Sequence, residues 1–399
     1  MARIGIYGGS FNPPHLGHML AAREFQRALK WDLLLFVPAA IPPHKILPPD
    51  SPDGETRMKL LELAIQELPF AKIDDLELQR DGASYTVDTL KALRVKYPGD
   101  ELFLCVGTDM FLSFDSWYQP KKICGMAQIA MAHRTDCDED ELKALSKSFQ
   151  KKFGMEPILI ENEFVEVSST QVRRLLILGG AEDFLSPAVL QEIRAKGLYG
   201  TGVDRKGLAF ADLKRESLAL HKESRVAHVI GCSETARKLA LIHGVDPDDA
   251  ERAGILHDIT KALDGRDQLR LCEKYGIMID DFDRAHTKLL HAVTGAAVAE
   301  HVFGENEAVC QAIRWHTSGK ADMTTLEKII YMADYMEPNR DFPGVEKLRK
   351  LAYTDLDAAM LMGLNMTGEH LKRQGAIMGR HSVEAIEFLT QRKERAHNQ

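Results

Sequence analysis

The chain has 399 residues, 45% of them hydrophobic and 28% charged, with a formal net charge of −8. This length exceeds what one hydrophobic core usually organises and predicts two or three domains, while acidic residues outnumber basic ones in both halves, which argues against a nucleic-acid-binding surface. Six scattered cysteines form no C-x-x-C pair, and no apolar run approaches the roughly 18 residues of a membrane helix, so we expect a cytoplasmic protein with reduced thiols and no membrane contact.

From residue 1 to about 200, short apolar runs alternate with amphipathic stretches: RIGIY, then MLAAREFQRALK; LLLFVPA, then TRMKLLELAIQEL; LFLCVG, then a polar stretch; QIAMAHR, then EDELKALSKSFQKKF. Strands alternating with helices predict an α/β, doubly wound (Rossmann-like) parallel sheet whose ligands bind at the carboxyl ends of the strands. At the first such end stands GGSFNPPHLGH. Gly8 and Gly9 let the backbone turn and present bare N–H groups, Pro13 and Pro14 fix the start of a helix, and His15 and His18 share the face of its first turn. Two imidazoles over a helix N-terminus suit a polyphosphate whose charge grows in the transition state.

This segment closely resembles the H-x-G-H signature of the nucleotidylyltransferase superfamily, and specifically the nicotinate-nucleotide adenylyltransferases. Further matches follow in order: PPHK around Lys45, Arg57, SYTVDTL around Thr86, VGTDMFLSFDSWYQ with Asp109 and Trp117, and VSSTQVRR before a helix. The resemblance implies attack of a mononucleotide phosphate on the α-phosphate of ATP, with Mg²⁺ present and pyrophosphate released, and without a covalent enzyme intermediate. By that resemblance His15, His18, Lys45 and Arg173 are catalytic. ATP is bound by Gly8, Gly9, Ser10, Phe11, Asp109, Ser169 and Thr170, and nicotinate mononucleotide by Thr86, Trp117 and Arg134. Arg134 stands in HRTD, where the family usually has Arg-Pro-Gly. Judged alone, Trp117 also fits an ordinary core position and the Ser169–Thr170 pair a simple helix cap.

Gly197 to Gly207 has glycines and charges without apolar periodicity, and we read domains over 1–200 and 208–399 joined by a linker at 201–207. The second half is helical throughout in pattern, with Asp246-Pro247 a clear helix start. His257 and Asp258 lie side by side, His228 precedes them and Asp334 follows. Two imidazoles and two carboxylates suit Fe, Mn or a similar divalent ion better than structural zinc. The ordered set resembles the HD phosphohydrolases, and RVAH, LHDITK, LLHAVTG, RWHTSG and IIYMADYMEPNR resemble the HD-type symmetrical dinucleoside tetraphosphatases, an all-α domain that cuts diadenosine tetraphosphate to two ADP. Arg225, Lys261, His291, His316, Thr317 and Arg340 are then candidates for binding polyphosphate. His291 and His316 equally fit proton transfer or a second metal site. An alternative is a helical half that senses nucleotide or dimerises without turnover, and another is a first half that serves an acceptor such as pantetheine phosphate. A homo-oligomer is compatible with the sequence.

Overall fold

The computed structural model describes residues 1–43, 46–134, 138–162 and 167–397. These divide into two compact units: Met1–Ile177 with Ala181–Val203, and Leu178–Gly180 with the chain from Asp204 onward.

In the first unit six strands form one sheet: β1 (Arg3–Gly9), β2 (Leu33–Pro38), β3 (Ala71–Ile73), β4 (Glu101–Gly107), β5 (Gln128–Arg134) and β6 (Ile158–Asn162). Their order is β3-β2-β1-β4-β5-β6, with every neighbouring pair parallel. The helices are α1 (Leu16–Leu29), α2 (Gly54–Ile65), α3 (Thr86–Lys96), α4 (Thr108–Leu112), α5 (Pro120–Cys124), α6 (Glu139–Phe153), α7 (Ser169–Leu178) and α8 (Pro187–Ala195). Successive strand residues point to opposite faces, and both faces are buried. Leu35, Val37, Leu104, Ile129 and Met131 join one apolar cluster, while Leu34, Phe36, Phe103, Cys105 and Ala130 join the other. Gly5 is the exception a bulky neighbour demands, because a Cβ there would lie 2.4 Å from the Trp31 ring. The chain turns in opposite directions from β1 and β4, so the cleft at their carboxyl ends is the switch point at which such sheets bind ligands.

The second unit is helical: α9 (Phe210–Leu220), α10 (Glu223–His243), α11 (Pro247–Leu256), α12 (Gly265–Lys274), α13 (Asp281–Ala285), α14 (His291–Val298), α15 (Glu307–Trp315), α16 (Thr325–Met336), α17 (Val345–Ala352), α18 (Leu356–Arg373) and α19 (Arg380–His397). The Asp246-Pro247 start is realised: the Asp246 carboxylate accepts from the N–H groups of Asp248 and Asp249, and Pro247 opens α11. Helix α10 packs against α11 and α16. A Cβ at Gly254 would meet the Ser233 Cα at 2.6 Å, so glycine sets how closely α10 and α11 approach. Among the described residues no helix is long and apolar enough to cross a membrane.

Candidate active sites

At the end of β1 the GGSFNPPH loop is anchored through its carbonyls. Ala39 N donates to Gly9 O (2.9 Å), Arg57 Nη1 to Ser10 O (2.7 Å), Arg173 Nη1 to Asn12 O (2.6 Å), and Ser169 Oγ to Pro13 O (3.0 Å). The Asn12 amide also donates to Ser51 Oγ (2.8 Å). With its acceptors tied to β2, α2 and α7, the loop is fixed by groups far apart in sequence. A Cβ at Gly8 would meet nothing within 4 Å, so the backbone there borders open space that a ligand can approach closely.

His15 caps α1 with extended backbone, and its N–H donates to His18 Nδ1 at 3.2 Å. That contact makes Nδ1 an acceptor and leaves Nε2 of His18 to carry the proton. The two rings lie 3.7 Å apart. His15 is buried and His18 half-buried.

Ser169 and Thr170 open α7, but their hydroxyls are engaged within the protein: Ser169 with Pro13, and Thr170 as acceptor from Arg173 Nη2 at 3.2 Å. Asp109 is exposed in α4, just past the end of β4. Thr86 is the first residue of α3, and half-buried Trp117 packs at a tilt against Phe114, with ring centroids 5.0 Å apart. The rings of Tyr85 and Tyr118, 4.8 Å apart, bring the α3 N-terminus and the Trp117 segment together. Lys45 lies outside the described residues, as does the side chain of Arg134, the last residue of β5.

In the second unit four imidazoles surround Asp258, and the Nδ1 of each is already committed. His257 bonds Gly254 O (2.7 Å), His291 bonds Lys288 O (2.7 Å), His316 bonds Ile313 O (2.6 Å), and His228 bonds the Glu337 carboxylate (3.1 Å). Because these acceptors require N–H at Nδ1, each neutral ring keeps its Nε2 lone pair for the interior. Burial holds His257 and His291 well below the usual imidazole range, His257 against the opposing charge of Asp334 and His291 with help from Lys261, and burial also lowers His316.

The two oxygens of Asp258 divide the set. Oδ2 faces Nε2 of His228 (3.8 Å) and His257 (3.6 Å), and Oδ1 faces Nε2 of His291 (3.2 Å) and His316 (3.7 Å). Asp334 Oδ1 lies 3.1 Å from His228 Nε2 and 3.8 Å from His257 Nε2. The 3.1 Å approach lacks hydrogen-bond geometry, so among the described residues the buried Nε2 atoms of His228 and His257 have no hydrogen-bond partner. The Nε2 atoms of His291 and His316 face one another at 3.1 Å. Lone pairs and carboxylates crowded this way repel unless a cation lies among them, and the donor set fits a divalent ion. Among the described residues two groupings converge tightly enough to ligate: His228, His257 and Asp334, and His257, Asp258 and His316.

Cationic side chains ring this cluster. Arg225 pairs with Asp258, and Arg340 pairs with Asp334 through Nη2 (2.6 Å). Lys261 approaches His291 Nε2 at 3.0 Å, and burial brings its ammonium down to about 8. Burial alone would raise the Asp334 carboxyl, but its surroundings, the paired Arg340 guanidinium among them, hold it well below the usual range. Half-buried Thr317 follows His316.

Sequence reasoning missed Glu337, although it stands in the EPNR motif. Its second oxygen accepts from Asn339 N (2.7 Å), and glycine at 231 makes room for it, since a Cβ there would come within 2.5 Å of Oε2. The alternation of residue types carries no sign of such a buried acid.

Residues 6–175 match the Cytidylyltransferase-like family, and residues 225–339 match the HD domain. Over 198 residues the chain is 34% identical to the "Probable nicotinate-nucleotide adenylyltransferase" of Borreliella burgdorferi, covering 96% of that protein and 49% of this one. The chain belongs to the nicotinate-nucleotide adenylyltransferase family. The Methylococcus capsulatus relative of the same description is 37% identical over 211 residues, covering 99% of its length and 49% of this chain. A solved Clostridium acetobutylicum structure, described as a predicted HD superfamily hydrolase involved in NAD metabolism, is 36% identical, with 98% of that chain and 46% of this one covered and a TM-score of 0.45. The family relationship accounts for about half of the chain, and the HD match lies within the remainder.

Proposed function

We propose that the first unit transfers AMP from ATP to nicotinate mononucleotide, giving nicotinate adenine dinucleotide and pyrophosphate, and that the second hydrolyses diadenosine tetraphosphate to two ADP. The observation that carries the first reading is the loop at the β1 end: its carbonyls are tied outward, and a histidine pair stands over a helix N-terminus at the sheet's switch point. There His15, His18 and Arg173 hold the ATP phosphates as charge builds, with Lys45 completing the set. Gly8, Gly9, Ser10 and Phe11 form the cradle, and Asp109, Ser169 and Thr170 border it. Attack by the acceptor phosphate needs no nucleophile from the protein, so positioning and charge stabilisation are its contribution. Mg²⁺ arrives with the ATP. Thr86 and Trp117 receive the pyridine ring, with the indole available for stacking, and Arg134 serves the same substrate.

The second reading rests on the convergence of four Nε2 lone pairs on Asp258. His228, His257, Asp258 and Asp334 would hold one divalent ion, Fe or Mn, and His291 and His316 across the carboxylate would hold another. Such a centre supplies Lewis-acid charge at a phosphate oxygen. Arg225, Lys261 and Arg340 neutralise the remaining phosphates, and Thr317 borders them.

Purified full-length protein incubated with ATP and nicotinate mononucleotide should release pyrophosphate and form the dinucleotide. With diadenosine tetraphosphate and Fe²⁺ or Mn²⁺ it should yield ADP alone. Dinucleotide without ADP would leave the helical unit a nucleotide-binding module.

A further inference from the structure

Helix α17 carries a cation on the side that faces inward. Val345, Leu348 and Ala352 recur at the three- and four-residue spacing that makes one helix face, and all three are buried. Arg349 stands on the same face, where the period asks for an apolar residue, and is half-buried. Its guanidinium is aimed at main-chain carbonyls. Nε donates to Met336 O (2.9 Å), and Nη2 donates to both Glu337 O (2.8 Å) and Arg340 O (2.8 Å). Nη1 pairs with Glu346, one turn back on α17. Four of the five N–H donors a guanidinium owns are thereby engaged.

Met336 ends α16, where carbonyls lose their partners in the helix, and a basic side chain placed there is common as a cap. What distinguishes Arg349 is the turn it holds. Glu337 O also accepts from Arg340 N (2.9 Å), closing residues 337–340. From this turn the Glu337 carboxylate reaches His228 Nδ1 (3.1 Å), and Arg340 folds back onto α16, donating to Asp334 O through Nε (2.9 Å) and to Asp334 Oδ1 through Nη2 (2.6 Å). His228 and Asp334 both belong to one of the two groupings able to ligate a metal. A planar fork reaches several oxygens at once, a geometry that the point charge of a lysine does not reproduce.

We propose that Arg349 is a positioning residue for the metal centre: its guanidinium clamps the turn at residues 336–340 so that Glu337 orients His228 and Arg340 holds Asp334. Among the described residues Arg349 bonds to no member of the cluster itself, and it acts through those two side chains. This rests on the metal-binding reading of the second unit and on no choice of substrate.

The test uses the metal-stripped full chain and compares wild type, Arg349→Lys, Glu337→Ala and the double variant. Mn²⁺ affinity is read from the electron paramagnetic resonance signal of the unbound ion, with circular dichroism and melting temperature recorded alongside. Arg349→Lys keeps the charge and loses the fork. It should weaken Mn²⁺ binding roughly tenfold, the scale of an outer partner of a metal ligand, while the helix content stays that of wild type. In the Glu337→Ala background the same change should add less than that factor, because one of the contacts it supports is already gone. Wild-type Mn²⁺ affinity in Arg349→Lys, or losses that multiply in full in the double variant, would overturn the proposal. Affinity lost only in proportion to folded protein would overturn it too. Wild-type protein that binds no Mn²⁺ would overturn the metal reading and this proposal with it, whereas Mn²⁺ binding without hydrolysis of diadenosine tetraphosphate would refute the substrate alone and leave the affinity comparison intact.

Discussion

His228 is the one imidazole of its cluster anchored by a side chain, through Nδ1 to Glu337. Changing Glu337→Gln keeps the shape but removes the charge that orients the ring and raises its basicity, so Mn²⁺ affinity should fall about 10- to 100-fold. Titration of the stripped protein measures this, and circular dichroism should show the helices intact. An unchanged affinity would remove Glu337 from the site. The other three imidazoles make a different prediction. Burial keeps His257, His291 and His316 below their ordinary value of 6.5. The unfolded chain therefore takes up protons near that pH that the folded chain refuses, and stability is lost as the pH falls. Metal-stripped protein should show a lower thermal midpoint at about pH 5.5 than at about pH 7.5. A flat profile would mean that these rings titrate normally.

At the level of elements, metal geometry depends on how α10 and the segment after α11 meet. Gly254→Ala would press a methyl group against the Ser233 backbone, where no side-chain rotation relieves it. We expect about 1–3 kcal/mol of destabilisation in chemical denaturation, accompanied by weaker metal binding because His228 and His257 shift apart. The interior strands β1, β2, β4 and β5 are legible in the sequence because burial on both faces makes them continuous apolar runs. The edge strands are not: β3 is only Ala71–Ile73, and β6 mixes Ile158–Ile160 with Glu161 and Asn162. A half-covered edge imposes little composition on its residues. The same contrast holds in the sites. His15 and His18 are visible because the loop is contiguous. The grip of Arg57 and Arg173 on the loop carbonyls arises from folding distant segments together, which no local pattern encodes.

For the whole molecule, the two proposed reactions, assigned to separate units, predict separable losses. His18→Ala should lower adenylyl transfer by about 10²- to 10³-fold, the scale for removing one preorganised donor, and leave tetraphosphate hydrolysis untouched. Asp258→Ala should abolish hydrolysis and leave transfer untouched. Parallel assays decide the matter, and loss of both activities from either change would mean that the two centres are coupled.

The anchoring of the four imidazoles also sets where this centre is vulnerable to mutation. Three of the Nδ1 acceptors are main-chain carbonyls, of Gly254, Lys288 and Ile313. No codon change deletes a carbonyl, so those three acceptors are lost only where a substitution moves the backbone itself, as at Gly254. His228 alone depends on an acceptor that one nucleotide change can erase, so among the four Nδ1 acceptors genetic drift should be least tolerated at Glu337.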